Sequence, residues 1–283
     1  MTEYLTIGNG QIAYDVMGEG PLIVLSHGMG DHRNAFRHLV PLLVDAGYRV
    51  ANADLRGHGD SSMNWTSHDG SEAISRTDVA GDLLALIRHL GGPAVIIGHS
   101  LSGGAATIAA AQAPELVSAV VELGPFTKNQ TFPLGALLTV RRYRRGGLRL
   151  IGTQLFKSLG IWMSYLDVAY PNKPSDHAEA MATLTAKLRE PGRFAEFMKT
   201  GKSTPADAHA QLPNLAGPAL IIMGTEDPDW ADPKAEADAV VALMPAGLGR
   251  VAMLEGSGHY PHADAAEQVA ELTLKFLAGQ QHA

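Results

Sequence analysis

Short apolar runs and longer amphipathic stretches alternate along most of this chain. Residues 21–26, 48–53, 94–97, 117–123, 219–223 and 250–254 are continuous apolar runs of strand length. Helical periodicity marks residues 35–45, 76–90, 102–112, 233–243 and 265–277. Strands apolar on both faces and separated by helices predict an α/β architecture, a mostly parallel sheet flanked by helices on both sides. Two earlier segments, 3–7 and 11–17, are joined by Gly8-Asn9-Gly10 and predict an antiparallel hairpin at the sheet edge.

Between 126 and 212 the alternation stops. The stretch reads as helical but is interrupted at Gly146-Gly147, Pro171, Pro174, Pro191-Gly192 and Pro205. It predicts a helical cap, or lid, inserted after the sixth strand, with residues 1–125 and 213–283 forming the core.

The 283 residues are 46% apolar and 18% charged, enough to bury a large core, and no apolar run reaches the length of a membrane span. The N-terminus lacks the basic and apolar regions of a secretory signal, so a cytoplasmic location is expected. Zero cysteines exclude disulfides, thiolate catalysis and cysteine-ligated metals. Net charge is −7, which disfavours nucleic acid as a partner; the arginines of residues 141–149 are the local exception. That cluster is either a solvated helix face or a docking surface for an anionic substrate or carrier.

Chemistry concentrates where the strand 94–97 runs into Gly98-His-Ser100-Leu-Ser102-Gly103-Gly104 and then an alanine-rich helix. A serine on so tight a strand-to-helix turn needs small neighbours two residues before and after it, here Gly98 and Ser102. The helix N-terminus then points at the serine, so the Leu101 N–H can stabilise an oxyanion. The segment resembles the nucleophile elbow of the α/β-hydrolase superfamily, in its serine esterase and lipase-like branch. The usual motif is G-x-S-x-G; here Ser102 replaces the last glycine and adds a hydroxyl without an evident partner.

The resemblance implies a triad in the order serine, acid, histidine. Asp227, in Gly224-Thr-Glu-Asp-Pro, and His259, in Gly256-Ser-Gly-His-Tyr-Pro, each follow a predicted strand, where α/β sheets place their ligands. The rivals are Glu226, Asp229 and Glu122 for the acid and His262 for the histidine; His262 reads better as a helix cap or a supporting residue. His27-Gly28-Met29-Gly30 resembles the superfamily's oxyanion loop, implying Met29 and Leu101 as backbone donors and His27 as structural. Asp54-Leu-Arg-Gly-His-Gly-Asp-Ser61 resembles another family loop, expected to brace the site through Asp54 and Arg56.

Other chemistries lack their signatures. Arg33 stands where a dinucleotide fingerprint needs its third glycine, Glu196 where a Walker motif needs its first, and no H-E-x-x-H is present. No cofactor and no catalytic metal are therefore expected. Among the apolar side chains of the inserted segment, Phe126, Trp162, Met163 and Tyr165 are the candidates to line a pocket for a small molecule with an apolar portion. The expected activity is hydrolysis of a carboxylic ester or lactone through an acyl-enzyme. A C–C or thioester hydrolase, a cofactor-free lyase and a triad-bearing receptor use the same residues.

Overall fold

A computed structural model describes residues 1–280. The chain opens with β1 (Thr2–Ile7), β2 (Gly10–Met17), β3 (Leu22–Ser26), α1 (Leu39–Asp45), β4 (Arg49–Ala53), α2 (Arg76–Leu90), β5 (Ala94–His99), α3 (Leu101–Gln112) and β6 (Val117–Leu123). Six helices follow: α4 (Ala136–Thr139), α5 (Arg141–Phe156), α6 (Leu159–Ala169), α7 (His177–Leu188), α8 (Arg193–Thr200) and α9 (Ala206–Gln211). The chain then returns to β7 (Ala219–Gly224), α10 (Pro233–Val241), β8 (Gly249–Leu254), α11 (Pro261–Asp264) and α12 (Ala266–Ala278).

The strands form one sheet in the order β1-β2-β4-β3-β5-β6-β7-β8. β2 runs antiparallel to both its neighbours, β1 and β4; β4, β3, β5, β6, β7 and β8 run parallel to one another. Successive side chains of a strand face opposite sides, so each apolar run feeds two cores. Leu22, Val24, Ala94 and Ile96 pack with α2, α3 and α10, whereas Ile23, Leu25, Val95 and Ile97 pack with α1 and α12. A third cluster lies within the six-helix segment: Trp162, Tyr165, Leu166, Leu184 and Phe197 gather on Tyr260 and Ala263 of the β8–α12 connection. The last helix of the segment, α9, and the turn after it belong to the sheet's own packing, for Ala208 and Leu212 lie in the cluster shared with α2 and α3.

Local signals explain most element ends. Ser75 and Asp78 form a reciprocal capping box at the start of α2, and Gly91 ends that helix in the left-handed conformation. The helix expected over 35–45 is instead a 3-10 turn, Arg33–Phe36, followed by α1. Pro41 has no N–H to donate and fits only a first turn, which delays the α-helix to Leu39. Among the described residues no helix is long and apolar enough to cross a membrane.

Candidate active site

The turn between β5 and α3 holds Ser100 at φ 55°, ψ −115°, a backbone conformation that L-residues rarely adopt. Main-chain bonds hold it there: the Ser100 N–H donates to Leu123 O at 2.9 Å, and its carbonyl accepts from Gly103 and Phe126 N–H at 3.0 and 3.1 Å. Gly98 is required by close approach, because a Cβ there would drive into the Ser102 carbonyl.

The hydroxyl of Ser102, in place of the family glycine, has two partners. It donates to the His27 carbonyl at 2.6 Å and accepts from the Ser26 hydroxyl at 2.9 Å. It thereby ties the serine turn to the His27-Gly28-Met29-Gly30 loop. His27 itself donates from Nδ1 to Gly28 O and accepts the Leu55 N–H on Nε2; burial pushes its basicity well below the ordinary range, consistent with a neutral ring. Neither Met29 nor Leu101 donates its N–H to a protein acceptor among the described residues.

His259 and Asp227 meet across the ends of β8 and β7. The imidazole Nδ1 lies 2.9 Å from Asp227 Oδ2. A carboxylate can only accept, so Nδ1 carries the proton and Nε2 is left for chemistry. Gly124, at φ +50°, keeps the space: a Cβ there would sit 3.1 Å from His259 Nδ1 and 3.2 Å from Asp227 Oδ2. The His259 N–H donates to Ala169 O at 3.0 Å, so the end of α6 helps to hold it.

A second carboxylate, which the sequence offered only as a rival, joins this pair. Asp229 Oδ2 is 3.4 Å from His259 Nδ1 and accepts the Tyr165 hydroxyl at 2.8 Å, while the Asp229 N–H donates to Asp227 Oδ1 at 2.9 Å. Burial, which alone would lower the basicity of His259, is outweighed by Asp227 and Asp229, and the ring is pushed up to about 9. Burial pushes Asp229 up to about 7, with repulsion from Asp227 adding to it and His259 opposing it. The short D-x-D spacing was the signal for this arrangement; Tyr165 was expected only as a pocket wall, not as a donor to Asp229, and Ser26 carried no signal.

The remaining candidates lie elsewhere. Glu122 is fully buried at the end of β6, accepts from the Thr107 and Thr127 hydroxyls, and has no hydrogen bond to His259; burial pushes it up to about 7. Glu226 sits 3.8 Å from Arg142 at the surface. His262 caps no helix: both its ring nitrogens are buried without partners, and the ring lies 4.6 Å from Phe36 and 4.5 Å from His99. In the 54–61 loop, Arg56 clasps both oxygens of Asp82 at 2.7 Å, Asp54 accepts from Arg33 and the Asp60 N–H, and His58 Nε2 accepts the Gly30 N–H at 3.1 Å. That loop supports the His27–Gly30 loop through the His58–Gly30 bond.

Ser100, His259, Met29, Phe126, Trp162 and Tyr165 line one cavity of about 160 Å³, with Asp229 at its wall. Met163 is not on that wall; it packs within the helical segment, where Thr185 Oγ1 lies 3.5 Å from its sulfur. Asp227, Asp229 and His259 are also the one cluster of possible metal ligands among the described residues. Their donor atoms face one another, so a cation there would have to displace the Nδ1 proton.

The model of the alpha/beta hydrolase family matches residues 23–272. A 2-(acetamidomethylene)succinate hydrolase of Mesorhizobium japonicum is 30% identical over 213 residues, 73% of this chain and 71% of that protein. A pimeloyl-(acyl-carrier protein) methyl ester esterase of Xanthomonas oryzae pv. oryzae is 29% identical over 270 residues, covering 93% and 98%. Among solved structures, a thermophilic esterase from Thermogutta terrifontis superimposes with a TM-score of 0.73 at 22% identity, over 99% of this chain and 98% of that one.

Proposed function

The chain belongs to the alpha/beta hydrolase family, and from that premise we propose that it is a serine hydrolase of carboxylic esters or lactones, with Ser100 as nucleophile, His259 as general base and Asp227 as the orienting acid. One observation carries the reading: a strained, buried serine shares a cavity with a histidine whose far nitrogen is hydrogen-bonded to a buried carboxylate.

His259 Nε2 takes the Ser100 proton as Oγ bonds to the ester carbonyl carbon. The oxyanion accepts hydrogen bonds from the Met29 and Leu101 N–H groups, each such donor being worth about 2.7–4 kcal/mol in the transition state. As the C–O bond breaks, the imidazolium returns its proton to the departing alkoxide. Water, deprotonated by the same nitrogen, then attacks the acyl-enzyme and releases the acid and Ser100. The six-helix segment acts as a cap over this cavity, contributing Trp162 and Tyr165 as walls. Serine as nucleophile separates the reading from hydrolases that attack epoxides or haloalkanes through aspartate.

The experiment is turnover of p-nitrophenyl acetate together with labelling by a fluorophosphonate. Ser100→Ala should lose both while melting within a few degrees of the wild type, since alanine fits the turn. Activity within tenfold of the wild type, or a labelled peptide lacking Ser100, overturns the assignment.

A further inference from the structure

A second, larger hollow of about 860 Å³ runs along α5. Its walls share Phe126, Leu150, Gln154, Gly201 and Asp229 with the cavity at Ser100, so the two lie side by side. On α5 the hollow is faced by Tyr143, Gly147, Leu150, Ile151 and Gln154, whose spacing of three and four residues is one helical face. The loop before α4 supplies the opposite wall through Phe132 and Leu134. Phe132, Leu134, Leu148, Ile151 and Leu155 are each at least 60% exposed. A lone exposed leucine is ordinary, but five large apolar side chains converging on one hollow are not.

Charge narrows what the hollow would take. No lysine or arginine lines it, and its one carboxylate is Asp229. Two of the nearby arginines of α5 are spent on the fold: Arg142 donates to the carbonyls of Thr225, Trp230 and Ala231, and Arg144 to that of Leu137. An anionic tail would meet a buried carboxylate without a compensating cation. The volume is that of a small-molecule site, and its inner end adjoins the cavity that Ser100 lines.

We propose that this groove seats an uncharged, unbranched aliphatic chain of the ester, so that medium- and long-chain aliphatic esters are the preferred substrates. The proposal rests on Ser100 being the nucleophile. Each methylene moved from water into the groove contributes up to about fourfold in kcat/KM, from about 0.8 kcal/mol of transfer free energy.

Gly147 provides the test. It lies inside α5 and on the groove wall, and a Cβ added there meets nothing within 4 Å. Gly147→Phe therefore adds a large apolar side chain to the groove wall at a position with room for its Cβ, and replaces a poor helix former. Two substrate series are compared, p-nitrophenyl esters from acetate to decanoate and alkyl acetates from methyl to decyl. In the wild type kcat/KM should climb with chain length in one series, which tells whether the acyl or the alcohol side occupies the groove. Gly147→Phe should cut the long-to-short ratio in that series at least tenfold, and Ile151→Asn should lower it in the same direction. Gly81→Phe, on α2 where an added Cβ also meets nothing, should leave the ratio unchanged.

A flat profile in both wild-type series, or a ratio unmoved by both groove variants, overturns the groove while leaving the nucleophile in place. A concentration-dependent dimer dissociated by Ile151→Asn, with the chain-length profile intact, gives the surface to a second copy and also overturns it. Turnover that survives Ser100→Ala refutes the underlying reading instead.

Discussion

The carboxyl edge of the sheet and the arm formed by α4 and α5 lie side by side and are built on opposite terms. At the sheet edge Ser100, Asp227 and His259 are all 3% exposed or less, and main-chain and side-chain bonds hold each of them. On the arm, large apolar side chains stand in water, Leu138 being 82% exposed. Groups that move protons need fixed distances and a dry surrounding, where an unpaired partner would cost about 1–3 kcal/mol. A surface that takes up an apolar chain, as proposed for this arm, gains only when that chain arrives. On the proposed reading, rigid chemistry and open recognition fall on different elements, with Phe126 and Asp229 on the wall common to both hollows.

The contrast breaks most sharply at the acid. Asp227→Asn keeps the shape but removes the carboxylate that selects the His259 tautomer, and kcat should fall about 10⁴-fold. Glu122→Gln, equally buried but bonded only to two threonine hydroxyls, should change kcat much less. Steady-state turnover of p-nitrophenyl acetate decides between them; the reverse ranking would move the acid to the end of β6.

Asp229 sharpens the comparison through pH. With His259 pushed up to about 9 by two carboxylates, its basic form accumulates on the alkaline side, and kcat/KM for a neutral ester should still be rising above pH 8. Asp229→Asn removes one negative charge beside the ring, so the imidazolium loses its proton more easily. The rising limb should then move to lower pH by about one unit, because a neighbouring opposite charge typically contributes 1–3 units. A full pH profile of both proteins checks this, and a limb that stays in place or moves upward contradicts it.

The smallest effect is expected at the link between the serine turn and the His27–Gly30 loop. Ser102→Ala leaves the His27 carbonyl and the Ser26 hydroxyl without their buried partner, and urea unfolding should show a loss of about 1–3 kcal/mol. A fully neutral substitution would mean that water or a small shift replaces both bonds.

Chain periodicity carried the core layout: apolar strand runs and amphipathic helices repeat within a few residues, because strand and helix periods impress themselves directly on local sequence. The elbow at Ser100 was legible for the same reason, since its backbone strain and close approaches fall on adjacent positions that only small side chains satisfy. The His259–Asp227 pair was legible by spacing after strands, while its distance of 2.9 Å required β7 and β8 to be neighbours. Only the tertiary structure decided the rest. Asp229 lies beside His259 and accepts the hydroxyl of Tyr165 from α6, Ser102 finds Ser26 across 76 residues, and Gly147 faces a groove whose other wall is a separate loop. Those relations join side chains far apart in sequence, and no local period or motif records which distant surface a folded chain will bring against them.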